Sequence, residues 1–167
     1  KVFEAKNPLT HAFTEFHRAA RWALQIANFT HPSTAITFSD SMGVATAKLH
    51  EAVGIATYLM KSLLSSGVPM RAGIASGSFE AVRFRSDISI DGGDHAAHFL
   101  GTGVIRAHAS EGCGIKGCRI VLHPTAAALL TDPVHNPPHP AAGHVRYLEC
   151  TSTERQNKVS VSHEVDY

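Results

Sequence analysis

The sequence predicts an α+β protein whose helices pack on a mainly antiparallel sheet. Two long segments repeat apolar residues at helical spacing, and short segments rich in strand-forming residues alternate with them. Tight turns join some of these short segments, which favours hairpins. The chain has 167 residues, of which 44% are hydrophobic and 17% charged, so a single globular domain over residues 1–167 is expected.

Two long helices are expected in the first half of the chain. One covers residues 8–28 with Pro8 in its first turn, and its apolar residues recur at helical spacing. The other covers residues 47–64, where the apolar residues step by four and three along one face. Gly67 follows it and suits a left-handed cap. The apolar positions are Phe13, Phe16, Ala20, Ala23, Leu24 and Ala27 in the first helix, and Leu49, Val53, Ala56, Met60 and Leu63 in the second.

The short strand-like segments are expected to build the sheet, with turns and loops marked by glycine and proline. In chain order they predict a hairpin at residues 35–40 and 42–46, a strand, glycine turn and strand at 68–84, a polar loop at 87–95, a strand end, glycine turn and short helix at 99–111, a buried strand at 118–124, a helical turn at 125–130, a proline-rich loop at 131–143 and a late strand at 144–150. The C-terminal residues 149–167 are expected to complete the sheet or a dimer.

Composition limits the classes of binding partner and the cellular compartment that are expected. A formal net charge of +1 provides no basic field for nucleic acid or an anionic membrane surface. No apolar run approaches the roughly 20 residues of a membrane span. Three cysteines, Cys113, Cys118 and Cys150, make a poor disulfide framework because the number is odd, which favours a reducing cytoplasm.

Asp40 lies at the bend between the two strands of the first expected hairpin, in the sequence Phe-Ser-Asp-Ser. An aspartate there suits ordinary turn chemistry, because its side chain accepts local backbone hydrogen bonds. It also suits a metal site, because a hairpin end fixes an anionic oxygen on a rigid element facing a cleft. The residues alone leave both interpretations open.

Three motifs in order, FSDS, GVPMRAGIASG and FLGTGVIRAHASEGCGIKGCRIVLHP, resemble the class III nucleotidyl cyclase homology domain over residues 9–130. The nearest branch is that of the bacterial pyrimidine (cytidylate or uridylate) cyclases of Pycsar antiphage defence. The resemblance implies a ferredoxin-like βαββαβ core and a head-to-tail homodimer. It also implies a pair of Mg²⁺ or Mn²⁺ ions held by two aspartates. Asp40 matches the second, and the first has no counterpart in this sequence. Either it lies on a strand upstream, which is the favoured interpretation, or the metal site is incomplete.

This chain differs from adenylate cyclases at residues that would recognise the base of the nucleotide. Adenylate cyclases place an asparagine and an arginine where this chain has Ile105 and Ala109, and a purine-reading lysine and aspartate where it has Ile36 and His98. Because an isoleucine side chain donates no hydrogen bond, adenine recognition by that scheme is excluded under this alignment. A pyrimidine substrate agrees better with these residues.

Other side chains are therefore expected to contact the nucleotide. Arg106 is the better phosphate ligand, since a guanidinium matches phosphate oxygens, and a surface or dimer-contact ion pair is its alternative. Arg71 begins a strand and is placed to reach the triphosphate, unless it is a strand-edge charge. His98 is a candidate for the base edge or a solvated loop-end histidine. His108 shares the helix of Arg106, although positions two apart do not share a face.

The function implied by the resemblance is metal-dependent cyclisation of UTP or CTP to a 3′,5′-cyclic mononucleotide and pyrophosphate. The resemblance implies that such a product acts on a separate effector protein in antiphage defence. The sequence leaves two alternative functions open. One is a catalytically inactive cyclase-fold module that binds nucleotide or a partner, and the other is a purine cyclase with relocated base contacts.

Overall fold

The computed structural model describes residues 8–26, 34–37, 40–85, 94–114, 116–135, 146–149 and 163–166. These segments contain both helices and strands, so the α+β class holds for them. The helices are α1 (Pro8–Ile26), α2 (Leu49–Ser65), α3 (Thr102–Glu111) and α4 (Pro124–Ala127). The strands are β1 (Thr34–Thr37), β2 (Met42–Ala45), β3 (Ala72–Ile74), β4 (Glu80–Arg85), β5 (Asp94–Leu100), β6 (Ile120–Leu122), β7 (Arg146–Glu149) and β8 (His163–Asp166).

The largest sheet has four strands in the order β3-β6-β8-β7. Its β3 and β6 run parallel, with Gly73 opposite Val121, whereas β8 is antiparallel to both of its neighbours. Parallel pairing requires a crossover, which here includes β4, β5 and α3. All three residues of β6 are buried, as predicted for residues 118–124. The prediction that the C-terminal segment completes the sheet is confirmed by β8.

Two hairpins form separate sheets. In the first, β1 pairs with β2 in the register Thr34 opposite Ala45, which confirms the predicted hairpin. In the second, β4 pairs with β5, and Arg85 lies opposite Asp94. The predicted polar loop over 87–95 is therefore wrong at its end, because Asp94 and His95 belong to β5. Pairing with β4 outweighs the local preference of polar residues for a loop. Residues 86–93 lie outside the described segments.

Helix α2 lies between two cores. The predicted apolar stripe is buried, and Leu49, Val53, Ala56 and Met60 pack with strands β3, β6 and β8. Three further residues of α2, namely Ile55, Leu59 and Leu63, pack with α1 and with β2. One helix therefore holds the four-stranded sheet on one side and α1 with the first hairpin on the other. Gly67, which follows α2, has a φ of 73°, as predicted for a left-handed cap.

Helix α1 runs antiparallel to α2 and contacts it through small residues. Ala19, Ala20 and Ala23 are buried, so the two helix backbones approach closely. The predicted apolar face is wrong at Phe13, which is 50% exposed because it lies at the edge of the buried stripe. The C-terminal end of α2 is tied to α1 by a hydrogen bond from Ser66 Oγ to Glu15 Oε2 at 3.0 Å. Among the described segments, no helix is long and apolar enough to cross a membrane.

Candidate functional site

The loop between β3 and β4 lies against the start of α3. Ser78 donates its backbone N–H to Thr102 Oγ1 at 3.1 Å, and its own side-chain oxygen accepts the N–H of Thr102 at 3.1 Å. The carbonyl of Ser78 accepts the N–H of Gly103 at 3.1 Å. One residue of a distant loop therefore satisfies two of the free N–H groups that begin α3. These three hydrogen bonds between Ser78 and residues Thr102 and Gly103, together called the Ser78 clamp, leave less of the helix end available to bind an anion.

Two glycines permit this close approach. A Cβ on Gly77 would lie 2.6 Å from the backbone nitrogen of Gly103, and a Cβ on Gly101 would lie 2.1 Å from the carbonyl oxygen of Ser78. Gly101 also has a φ of 135°, which L-amino acids with a side chain rarely adopt. The glycines of this segment therefore have a packing role as well as a turn role.

A polar cluster lies where β3 and β6 end side by side. Arg106 Nη1 donates to the carbonyl oxygen of Ser76 at 3.1 Å, and Thr125 Oγ1 donates to the same oxygen at 2.9 Å. The backbone N–H of Ser76 returns a bond to Thr125 Oγ1 at 3.2 Å. The carboxyl ends of adjacent parallel strands are a frequent place for ligands in α/β sheets. Arg106 therefore faces a polar environment, with one guanidinium nitrogen used by the protein.

His123 belongs to the same cluster as the N-cap of α4. Its Nδ1 accepts the backbone N–H of Thr125 at 3.1 Å, which requires Nδ1 to be unprotonated. Burial and the nearby charge of Arg106 lower the pKa of His123. Both features favour the neutral imidazole in the folded protein.

The stability of the fold is consequently expected to fall as the pH drops below the ordinary histidine pKa of about 6.5. The pKa of His123 is lower in the folded chain than in the unfolded chain. The contribution of His123 to the free energy of unfolding is therefore complete above the unfolded pKa, and it is lost as the pH falls through the folded pKa. His123→Asn keeps an oxygen acceptor for the N–H of Thr125 but does not titrate. Urea denaturation from pH 7.5 to 4.5 should show the variant gaining stability relative to wild type on acidification. A pH-independent difference would contradict this role for His123.

The other predicted arginine, Arg71, forms an ion pair at 3.0 Å with Glu111 of α3. Its side chain is 46% exposed and that of Glu111 is 31% exposed, so solvent screens the pair. The contact joins the residue preceding β3 to the end of α3. Arg71 thus contacts the C-terminal end of α3, whereas Arg106 extends from the middle of α3 to the loop after β3, and each has a partner within the protein.

The remaining predicted site residues lie on three different elements. Asp40 is exposed at the bend between β1 and β2, as the sequence predicted for the hairpin end. His98 lies on β5 opposite Val82, so it is a strand residue and not a loop end; its side chain is outside the described part. His108 is exposed on α3, and its carbonyl oxygen accepts the N–H of Gly112.

A divalent cation bound at Asp40 would need ligands from further residues. No group of three or more histidine, cysteine, aspartate or glutamate side chains converges in the part of the chain that the structure describes. Asp40 alone supplies one carboxylate, whereas Mg²⁺ and Mn²⁺ favour several oxygen ligands. The predicted pair of ions therefore requires at least one further acid besides Asp40.

Sequence reasoning missed the residues that hold this region together. They are Ser76, Ser78, Thr102, Glu111, His123 and Thr125. One of them carries a local signal, since His123 precedes Pro124 and a polar residue before proline is typical of a helix start. The hydroxyl groups of Ser78 and Thr102 are 24 positions apart, and nothing local indicates that they meet.

Comparison of the chain with protein-family models, with curated proteins and with solved structures found no match in any of the three.

Proposed function

We propose that this chain is a class III-like nucleotidyl cyclase domain that converts UTP or CTP to a 3′,5′-cyclic mononucleotide. The observation that carries the proposal is the position of Asp40, exposed at the bend of an antiparallel hairpin and within the FSDS motif. A carboxylate at this place is accessible to a cation and to the triphosphate that accompanies it. The strands on either side restrict its backbone.

The order of elements supports the same proposal. The chain runs α1, β1, β2, α2, β3, which is compatible with the last five elements of a ferredoxin-like βαββαβ core. The first strand of such a core would precede α1, and it would carry the second metal-binding aspartate. The further pair β3 and β6, joined through α3, places Arg106 near the sheet end that follows β3.

In the proposed reaction the ribose 3′-hydroxyl gives its proton to solvent water, and its oxygen bonds to the α-phosphorus. The bond from that phosphorus to the pyrophosphate oxygen breaks, and pyrophosphate leaves. A divalent metal bound with Asp40 would supply charge neutralisation for the transferred phosphoryl group. The chain itself contributes positioning: Arg106 for phosphate oxygens, His98 as a candidate for the base edge, and His108 as a further substrate-binding candidate.

The two arginines differ in what the reaction would require of them. Arg106 uses Nη1 for the Ser76 carbonyl, which leaves other guanidinium N–H groups to meet phosphate oxygens without a rearrangement. Arg71 would have to exchange Glu111 for the triphosphate. The proposed role of Arg106 is therefore direct contact, and that of Arg71 is contact only after this exchange.

One observation favours a second candidate, a catalytically inactive module that binds nucleotide or a partner. Ile105 occupies the position where adenylate cyclases carry asparagine, and its side chain is 71% exposed. A large exposed aliphatic residue at that position cannot hydrogen-bond a ribose, but it is suited to an apolar contact.

Incubation of the protein with each of the four nucleoside triphosphates and Mn²⁺ tests the proposal. The full-length protein, including any upstream strand, is the appropriate sample. A cyclic pyrimidine mononucleotide and an equal amount of pyrophosphate are expected, and mass spectrometry with chromatographic standards identifies both. A cyclic purine product would favour the purine alternative. Nucleotide binding with no product from any of the four would support the inactive module.

A further inference from the structure

A groove between α1 and α2 has none of the residues assigned to cyclisation in its lining. Its volume is about 360 Å³, and it is lined by Arg18, Ala19 and Trp22 of α1 and by Tyr58 and Ser62 of α2. The antiparallel contact of the two helices explains this set. Arg18 and Trp22 are one turn apart on α1, and Tyr58 and Ser62 are one turn apart on α2, so each pair faces the groove from one wall.

The floor and the walls of the groove differ in chemistry. Ala19 is 3% exposed, and its small side chain at the helix contact leaves depth between the larger residues. Trp22 is 53% exposed, although it is a residue that normally buries most of its surface. Tyr58 and Ser62 are half-buried and each carries a hydroxyl group. The groove therefore offers aromatic faces and hydrogen-bonding groups together.

Arg18 adds a positive charge at the rim. Its side chain is 60% exposed, and Nη2 is paired with Glu15 one turn earlier on α1. The same carboxylate accepts a bond from Ser66 Oγ, so Glu15 is held toward the end of α2. The planar guanidinium has five N–H donors, and one pairing leaves the opposite edge available to a carboxylate or phosphate.

We infer that this groove binds a small planar aromatic anion, with its ring against Trp22 and Tyr58 and its carboxylate or phosphate on Arg18. The volume lies at the lower end of the range of about 300–1,000 Å³ typical of small-molecule sites, so the ligand has the size of a mononucleotide or less. Ring stacking supplies contact area, and the guanidinium selects the anion. This site is independent of the proposed cyclase activity, because none of its residues is assigned to that reaction.

Trp22 is the only tryptophan of the chain, so its fluorescence reports on the groove directly. Cytidine 5′-monophosphate and indole-3-acetate serve as phosphate and carboxylate probes. Cytidine and inorganic phosphate serve as ring-only and anion-only controls. Isothermal titration calorimetry accompanies the indole probe because that probe also fluoresces. Saturable binding of at least one aromatic anion is expected, about tenfold tighter than either control. Whichever probe binds then identifies the source of the anion.

Two variants locate the binding. Arg18→Gln should weaken the binding of the aromatic anion about tenfold while leaving the binding of cytidine unchanged. Arg21 is at an exposed position of α1 outside the groove, so Arg21→Gln should have no effect on binding. Ser62→Leu fills the groove and should abolish saturation, with circular dichroism and melting temperature checking that the fold is kept. Asp40→Asn should bind as wild type, which separates this site from the cyclase proposal. Absence of saturable binding, or equal binding by wild type, Arg18→Gln and Ser62→Leu, would overturn the inference.

Discussion

Asp40→Asn is expected to lower the rate of cyclic nucleotide formation by at least about 100-fold. The substitution removes the negative charge and one metal-binding oxygen while keeping the size of the side chain. Even the outer partners of metal ligands change metal affinity or activity by about 10–100-fold when mutated, so a direct ligand should cost more. Turnover of UTP and CTP with saturating Mn²⁺, followed by the release of pyrophosphate, measures the effect.

Asparagine is the informative replacement because it separates the two interpretations of Asp40. An asparagine side chain also accepts local backbone hydrogen bonds and favours bends, so a residue with turn chemistry alone would tolerate the change. The neighbouring exposed Ser41 provides the control, since Ser41→Ala alters the same bend without altering charge. Equal melting temperatures for the three proteins would show that the hairpin persists. Wild-type turnover by Asp40→Asn would remove Asp40 from any metal site.

The elements that the sequence predicted well are those with a strong local pattern. Helix α2 is an example, because its apolar residues from Leu49 to Leu63 recur at helical spacing and are buried. The hairpin of β1 and β2 is a second example, since two short strands separated by a bend have few other ways to pair. In both cases neighbouring residues carry the whole signal.

The pairing of the later strands depends on contacts that no local pattern contains. The segment over residues 68–84 holds two strands, but β3 pairs with β6 and β4 pairs with β5. The placement of β8 between β6 and β7 likewise brings together residues more than 40 positions apart. Burial of the apolar β6 residues decides this arrangement, and burial is a property of the whole fold.

In the candidate site, too, features with a local sequence pattern were predictable and those that depend on long-range contacts were not. The exposed bend at Asp40 was predictable, because it follows from a polar turn between two strands. The partner of Arg71 was not, since Glu111 is 40 residues later and an arginine before a strand suits many partners. The contact of Arg106 with a backbone carbonyl was also unpredictable, because the geometry of the loop after β3 determines which carbonyls point toward α3.

Two glycine-to-alanine substitutions are expected to change stability in opposite directions. Gly73 lies in β3 beneath α3, and a Cβ there would lie 2.0 Å from the carbonyl oxygen of Ala107 and 2.9 Å from the backbone nitrogen of Glu111. Backbone atoms of a packed helix cannot rotate away as a side chain can, so α3 must shift outward. Such overpacking costs about 3 kcal/mol or more in an unfavourable case. For a domain of this size that loss lowers the melting temperature by about 6–12 °C.

Gly54→Ala is the matched control, because it adds the same Cβ atom at a position where there is space for it. It lies in the middle of α2 on an exposed face, and a Cβ there meets nothing within 4 Å. Alanine loses less conformational entropy in a helix than glycine does, so Gly54→Ala should stabilise the protein by about 0.5–1 kcal/mol. Thermal and urea unfolding of both variants measure the two shifts. If Gly73→Ala were as stable as wild type while Gly54→Ala gained stability, α3 would not pack on β3 at the distance described, and the Ser78 clamp would lose its support. Because that helix also carries Arg106, the first substitution tests the packing on which the proposed phosphate contact depends.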